Sequence, residues 1–405
     1  AMRRSWSFVW CVALACFVQM LDGAFGAPGG FTPGSVVVSQ YGDGVTTSGN
    51  VPITLREFTT SGAATGWQVA LPTATSGSNR PIVGSISSTG IGFLKQSADS
   101  RFLSMIGSGT AASTLTIARV DASGEVNTTT SFSIAGGGGP TPRSAITTNG
   151  TDIWWSASAG SDNFAGTRYL TLGGTTTGVA VGNANASGKP NSSGLYPAPL
   201  NMRVIGIFND QLYGSAYTPM APAGTVPYSF RGVFSIGTGV PKTGPQYGTM
   251  LASQSGTNLG IMDSPWDFYV ADQSTLYVAD DDTAAPASGG LQKWLFSSGS
   301  WVKVWTAVPS GATGMRGLTG VVTGSSVQLF GITAMATGTA ANELVALSDT
   351  LSGTVAPSFT TLATAPANYV FRGVALAPVP EPSSLAIGVA GAAGIGMILR
   401  RRREE

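Results

Sequence analysis

One short motif recurs through the middle of this chain of 405 residues: a polar turn, then an aliphatic or arginine residue, then an aromatic residue. The aromatic positions are separated by 52, 59, 64 and 53 residues. A repeat of about 50 residues that contains several short strands is typical of the blades of a β-propeller. The five aromatic residues are Phe102, Trp154, Tyr213, Tyr277 and Phe330.

The two ends of the repetitive region predict how the ring closes. A lone strand pattern, Phe371–Pro378, lies late in the chain, whereas three early strand patterns lack an inner partner. One blade built from all four would leave no open sheet edge. Residues 27–378 are therefore predicted to form one all-β propeller of six blades; seven blades, or a pair of β-sandwiches, are the alternatives. The early strands are Val36–Gln40, Ile53–Phe58 and Trp67–Leu71.

The clearest hairpin joins Leu291–Phe296 to Trp301–Thr306 through a Ser-Ser-Gly-Ser turn. Apolar and aromatic residues occupy both faces of these runs, as expected for strands that neighbouring blades cover on both sides. Charged residues make up 10% of the chain, against about 25% in ordinary soluble domains. Together with 56 glycines, this composition suits short strands and tight turns, and runs of Gly, Thr and Val oppose helix.

The first 26 residues predict a signal peptide. Two arginines precede an apolar stretch, Phe8–Leu21, and the small residues after it predict cleavage between Gly26 and Ala27. An N-terminal membrane anchor is the alternative. Because Cys11 and Cys16 both lie in this segment, the body after it has no thiol and no disulfide.

Missing residue types exclude several classes of function. The chain has no histidine, which rules out a Ser-His-Asp triad, a Cys-His dyad and a His-ligated zinc. No glycine-rich stretch has the form of a phosphate-binding loop. Residues 1–26 and 379–405 together hold six of the 21 basic and four of the 20 acidic residues. The body between them therefore carries 15 basic and 16 acidic residues. A body so close to neutral does not indicate nucleic-acid binding.

Carboxylates remain as candidates for chemistry. The run Asp280, Asp281, Asp282 is a weak candidate for Ca²⁺, but it lacks the alternate spacing of a dedicated loop, which favours a solvated turn and no cofactor. Asp263 and Asp267 flank a Ser-Pro-Trp step and are predicted to cap turns. Two acids brought together by the fold could instead serve a glycosidase.

Tryptophan and arginine each offer a functional and a structural interpretation. Tryptophans can stack on sugar rings, but aromatic residues at strand positions more often pack the core. Arg231, Arg316 and Arg372 each precede glycine and an aliphatic residue, which favours a repeated structural role over an anion site. The tryptophans considered are Trp154, Trp155, Trp266, Trp294, Trp301 and Trp305.

From residue 379 onward the sequence changes character. A Val-Pro-Glu-Pro-Ser stretch leads into 17 uncharged residues, 383–399, a length at the lower end of what spans a bilayer. The arginines that follow predict a cytoplasmic C-terminus and an external body. The prolines keep the first stretch extended, as a processing enzyme requires. The motif is Val379, Pro380, Glu381, Pro382 and Ser383, and the arginines are Arg400, Arg401, Arg402 and Arg403.

These three parts, in this order within residues 379–405, resemble the PEP-CTERM sorting signal of Gram-negative bacteria. The resemblance implies processing by an exosortase, a membrane-embedded thiol enzyme, and delivery to the cell surface or an extracellular polysaccharide matrix. The body also resembles propeller-like proteins that often carry this tail, which implies no reaction.

The predicted function is that of an exported, non-enzymatic propeller that is structural or binds exopolysaccharide. The alternatives are a surface carbohydrate-active enzyme with paired carboxylates, and a permanently anchored membrane protein.

Overall fold

The computed structural model describes residues 29–111, 113–134, 141–158, 166–182, 202–217, 231–252, 264–282, 289–334 and 340–381. In these ranges the chain forms β-strands and turns, so they contain no helix that is long and apolar enough to cross a membrane. Gly26 and Ala27 at the predicted cleavage site lie outside the described residues. The same holds for Pro382, Ser383 and the arginines Arg400 to Arg403.

Six antiparallel sheets of four strands form the blades of one propeller, which confirms the prediction of an all-β fold with six blades. Strands are numbered along the chain, and the strands of each blade follow one another from the axis outward. Blade 1 contains β26 (Val370–Leu376), β1 (Val36–Tyr41), β3 (Ile53–Phe58) and β4 (Ala64–Ala70). Blade 2 contains β6 (Lys95–Gln96), β7 (Phe102–Ser108), β8 (Thr114–Asp121) and β9 (Val126–Ser133). Blade 3 contains β10 (Thr141–Thr147), β11 (Asp152–Ser158), β12 (Gly166–Thr171) and β13 (Val179–Ala180).

The other three blades repeat the same order. Blade 4 contains β14 (Met202–Phe208), β15 (Gln211–Tyr217), β16 (Arg231–Ile236) and β17 (Gly248–Ala252). Blade 5 contains β18 (Pro265–Asp272), β19 (Thr275–Asp280), β20 (Gly290–Ser297) and β21 (Ser300–Ala307). Blade 6 contains β22 (Met315–Thr323), β23 (Ser326–Thr333), β24 (Glu343–Thr350) and β25 (Thr360–Thr364). A separate pair joins β2 (Asn50–Val51), which lies between β1 and β3 in the chain, to β5 (Gly84–Ser85), which lies between blades 1 and 2.

The ring closes as the sequence predicts. The late strand β26 pairs antiparallel with β1, with Val36 opposite Leu376 and Tyr41 opposite Val370. The inner strands β6, β10, β14, β18, β22 and β26 pack against one another in succession around the axis. Because the last strand of the body completes the first blade, each of the six described blades has four strands.

The recurring aromatic residues mark the second strand of blades 2 to 6, each just after the turn from the inner strand. Large buried aromatic side chains such as Trp154, Tyr277 and Phe330 fill the spaces between blades. The predicted hairpin is the pair β20 and β21. The first five residues of β20 are buried, whereas β21 is an outer strand whose Val302 is half exposed.

Buried serines in the second strands of blades 1 to 4 join each blade to the next. Each hydroxyl donates to a backbone carbonyl on the axial side of the neighbouring blade, and one such bond stabilises a fold by about 1 kcal/mol. Ala279 and Ile332 take the corresponding positions in blades 5 and 6. The bonds run from Ser39 to Gly92, Ser104 to Ala145, Ser156 to Arg203 and Ser215 to Trp266.

Candidate functional site

Five of the six inner strands carry a β-bulge near their first residues. At each bulge the inner strand has one more residue than the second strand opposite it, so the ladder shifts register. A bulge re-aims a side chain out of the regular alternation. In this ring it directs a long side chain from each of five blades towards the axis. These residues are Arg372 in blade 1, Arg143 in blade 3, Arg203 in blade 4, Trp266 in blade 5 and Arg316 in blade 6.

Blade 2 contributes to the axis in a different way. Its inner strand is short, and residues 86–93 before it, which we call the axial segment, run to the centre of the ring. Phe93 stacks on Trp266 with ring centroids 5.5 Å apart and planes 15° from parallel. Lys95 forms an ion pair with Asp267. Because blades 2 and 5 are opposite in the ring, these two contacts bridge the axis.

Three of the arginines hold the axial segment by its backbone. The Arg316 guanidinium donates to the carbonyl of Thr89 at 3.0 Å, and those of Arg143 and Arg372 donate to the carbonyls of Gly90 and Ile86. A Cβ on Gly90 would lie 1.8 Å from the Arg143 guanidinium and 2.6 Å from the Trp266 ring. A side chain at position 90 would therefore have to displace the Arg143 guanidinium and the Trp266 ring, which glycine avoids.

Trp266 lies at the centre of the cationic group. The guanidinium carbons of Arg203, Arg143 and Arg316 lie 3.9, 5.0 and 5.3 Å from a Trp266 ring centroid, within cation–π range. Burial lowers the pKa of Arg203 to about 9 and that of Arg143 to about 10, and repulsion between these arginines contributes to both shifts. Both arginines remain cationic at neutral pH.

Asp267, an acidic residue near the axis, has several hydrogen-bond partners. Asp267 is fully buried and accepts hydrogen bonds from Lys95 and from the backbone N–H groups of Phe268 (2.8 Å) and Leu318 (3.1 Å). Burial raises the pKa of Asp267, and Lys95 opposes that rise. Asp267 is therefore a buried ion-pair residue, and the sequence-based interpretation of it as a turn cap is incomplete.

In the run Asp280, Asp281, Asp282, the first two carboxylates bind different partners. Asp280 is buried and accepts the N–H groups of Ser264 (3.1 Å) and Asp282 (2.9 Å), and burial raises its pKa to about 7. Asp281 Oδ2 lies 2.6 Å from Arg316 Nε. Among the residues that the structure describes, no three His, Cys, Asp or Glu side chains are grouped so as to hold a metal ion.

The arginines at equivalent positions of the blades differ from the set that the sequence predicts. Arg316 and Arg372 do occupy equivalent positions, but Arg231 begins the third strand of blade 4, and the equivalent residues there and in blade 3 are Arg203 and Arg143. A signal for them was present, because the bulge residues of blades 3 to 6 precede the recurring aromatic residue by 10 to 14 positions. Among the tryptophans considered, Trp154, Trp155 and Trp294 are fully buried core residues.

Two surface features lie away from the axis. An open groove of about 700 Å³, which we call the blade 6 groove, runs along blade 6. Asp349 lies in it and is bound by Lys293 Nζ at 2.7 Å and by the Tyr277 hydroxyl at 2.7 Å. A smaller cavity on blade 2 contains the described part of the predicted sorting motif, Val379 to Glu381. The blade 6 groove is also lined by Val321, Thr323, Ser326, Gln328, Ser348, Thr350, Thr354 and Val355.

Comparisons with known proteins bear on the fold alone. No protein-family model and no curated protein matches this sequence. A GH93 α-L-arabinofuranosidase of Fusarium graminearum is similar in structure at 13% identity, with 78% of this chain and 93% of that one covered and a TM-score of 0.38. A GH32 β-fructofuranosidase of Bombyx mori is similar at 10% identity, with 66% and 61% covered and a TM-score of 0.36.

The β-propeller domain of the Trilobed protease of Pyrococcus furiosus is similar at 8% identity, with 78% and 96% covered and a TM-score of 0.30. This chain thus spans less than two thirds of the length of the Bombyx mori enzyme. At such low sequence identities and TM-scores, these similarities say nothing about the activity of this chain.

Proposed function

We propose that this chain is an exported propeller of the cell surface or extracellular matrix that binds exopolysaccharide without turning it over. Support for export and sorting comes from the sequence, through the predicted leader 1–26 and the tail 379–405 that resembles the PEP-CTERM signal. On this proposal an exosortase-type enzyme processes a membrane-anchored precursor and releases the body outside the cell.

One observation carries the non-enzymatic part of this proposal: the axis is filled, and Asp267 and Asp281 are held in ion pairs. A glycosidase needs two carboxyl groups about 5–10 Å apart with a sugar between them. In the described part of the chain, Asp267 is bound to Lys95 and Asp281 to Arg316. The stack of Phe93 on Trp266 occupies the space between the opposite blades. This arrangement favours a structural or binding role over hydrolysis.

The blade 6 groove supports the polysaccharide-binding part. Its hydroxyl and amide side chains, such as Thr323, Gln328 and Ser348, can exchange hydrogen bonds with sugar hydroxyls, and Val321 and Val355 offer apolar contact to sugar C–H groups. The charge of Asp349 is balanced by Lys293, so the groove suits a neutral or weakly charged polymer.

Sorting is tested by expressing the full chain in its host with and without the processing enzyme. We expect a smaller, surface-exposed or released product only when the enzyme is present. A product of the same size and location in both strains would contradict the sorting proposal.

Binding is tested by retention of the full-length protein, in detergent, on the exopolysaccharide of its host. Replacing Gln328 and Ser348 together by alanine should weaken retention about thirtyfold, because two lost hydrogen bonds at about 1 kcal/mol each cost about 2 kcal/mol. Gln68→Ala, at an exposed position on β4, is the matched control and should bind as the wild type does. Equal retention of all three proteins would exclude the blade 6 groove.

The second candidate is a surface carbohydrate-active enzyme, and one observation favours it. Asp280, with its pKa raised to about 7 by burial, could donate a proton near neutral pH, and Asp281 follows it directly. Turnover of any glycan that is lost in both Asp280→Asn and Asp281→Asn would establish this alternative. Binding without turnover would favour the first proposal.

A further inference from the structure

The two described ends of the propeller meet in one cavity on blade 2. This cavity, of about 250 Å³, lies between residues 29–31 at one end of the described chain and 379–381 at the other. Its walls come from the turn before β7, through Arg101 and Phe102, and from the β8–β9 turn, through Asp121 to Ser123. The N–H of Phe31 donates to the Ala122 carbonyl at 2.8 Å, so the leading end is bound to the same blade.

The trailing end is held there by three contacts in succession. Gln96 Nε2 donates to the Ala377 carbonyl at 2.9 Å, and the N–H of Val379 donates to the Ser100 carbonyl at 2.9 Å. The Arg101 guanidinium then forms an ion pair with Glu381. The stretch therefore continues past the last strand of the ring and lies along blade 2 instead of leaving the surface.

Arg101 is oriented for this contact by its own neighbours. Its Nε lies 2.7 Å from Asp99 Oδ2, and its guanidinium carbon lies 5.4 Å from the centre of the Phe102 ring. A guanidinium fixed in this way loses less conformational freedom when it binds a second carboxylate. The side chain is thus arranged to bind Glu381 before the segment arrives.

We propose that blade 2 is a docking surface for Val379, Pro380 and Glu381, and that docking there competes with the processing enzyme for this segment. The competition with the processing enzyme rests on the proposed function. Pro378, Pro380 and Pro382 have no N–H, so Val379 and Glu381 supply the backbone donors of this stretch and Glu381 supplies its charge. Blade 2 binds both, and an enzyme that grips the extended segment must first displace Ser100 and Arg101.

Docking is tested on the full-length protein in detergent by amide hydrogen exchange. Arg101→Ala should raise the exchange rate at Val379 about two- to fivefold, the range an exposed ion pair supports. Exchange at Ala377, whose N–H donates to Ser35 in the closing blade, should not change. Arg119→Ala is the matched control, since Arg119 also lies over the Phe102 ring, at 4.7 Å, but is not paired with Glu381.

Charge reversal guards against a folding defect. Arg101→Glu and Glu381→Arg should each raise exchange at Val379, and the double variant should restore slow exchange in part, because the pair forms again while Asp99 repels the new carboxylate at position 101. Unchanged exchange at Val379 in Arg101→Ala, or no restoration in the double variant, would overturn the docking surface.

Competition is tested by the rate at which the precursor is converted in the host. Arg101→Ala should be processed about two- to fivefold faster than the wild type, and Arg119→Ala at the wild-type rate. Faster exchange without faster processing would overturn the competition but leave the sorting proposal in place. If deletion of residues 379–383 leaves size and location unchanged, both the sorting proposal and the competition fail, and the exchange result still decides the docking surface.

Discussion

Among the residues that the structure describes, two lysine–aspartate pairs are buried, and they connect different blades. Lys293 on β20 of blade 5 reaches Asp349 in the adjacent blade 6, whereas Lys95 of blade 2 reaches Asp267 across the axis. The Lys293 ammonium also donates to the carbonyls of Thr350 (2.6 Å) and Gly353 (2.8 Å). All three of its N–H groups therefore have acceptors.

The axial pair is less completely surrounded. Within the described residues, Asp267 is the hydrogen-bond acceptor that Lys95 Nζ reaches, with the Phe268 ring 5.9 Å away. Asp267, by contrast, keeps two backbone N–H donors besides Lys95. A buried pair stabilises a fold only when hydrogen bonds satisfy the remaining groups. We therefore expect the pair between adjacent blades to stabilise the ring more than the pair that crosses it.

Lys293→Met should have the largest effect. It leaves two carbonyls without this donor and Asp349 without a cation, with the Tyr277 hydroxyl still donating to it, which should lower the free energy of unfolding by about 4 kcal/mol. Chemical denaturation followed by tryptophan fluorescence measures the change. Lys303→Met, in the next strand of the same blade, is the control and should change stability by less than about 0.5 kcal/mol. Equal losses in the two variants would contradict the role assigned to Lys293.

Lys95→Met should lower the free energy of unfolding by a smaller amount, about 2–3 kcal/mol. The reason is that Asp267 keeps two backbone donors and, having a raised pKa, can take up a proton when its partner is lost. The second change Asp267→Asn should recover part of the loss. A loss for Lys95→Met as large as that for Lys293→Met would show that the axial pair is not the weaker of the two.

The repeat and the closure of the ring could be predicted because they depend on local patterns. A turn followed by an aromatic strand residue is visible within a few positions, and the late strand before residue 379 has no other partner nearby. The axial cluster could not be predicted in this way. It depends on one-residue bulges that arise only when the inner strand pairs with the second strand.

Arg231 and Lys95 are two examples of what local sequence patterns cannot predict: one matches the pattern but lies elsewhere, and the other lies at the axis without matching it. Arg231-Gly-Val resembles Arg316-Gly-Leu in sequence, but it begins a third strand and belongs to no bulge of an inner strand. Lys95 is not followed by glycine and an aliphatic residue as Arg316 is, because blade 2 reaches the axis through residues 86–93 instead of a long inner strand. Side chains that meet from opposite blades, 172 residues apart in the case of Lys95 and Asp267, leave no local trace in the sequence.

The smallest expected effect per step of the measurement, one pH unit, concerns a further buried acid, Asp280, whose carboxylate is bound by backbone and amide N–H groups. Its pKa in the folded protein is raised to about 7 from 3.8, so between these values the folded state binds a proton that the unfolded state does not. The stability of the wild type should thus fall as pH rises from 4 to 7, by up to about 1.4 kcal/mol per pH unit, and level off above.

Asp280→Asn should remove this slope, which denaturation at pH 5, 6 and 7 measures. Asp43→Asn is the matched control, because hydrogen bonds from Thr46 lower the pKa of Asp43 to about 2, outside this range. The slope should persist in that variant. A wild-type slope that survives in Asp280→Asn would place the titrating group elsewhere, with Asp267 the next candidate because burial raises its pKa as well. That outcome would make the axial pair, and not the Asp280 turn, the pH-sensitive part of the ring.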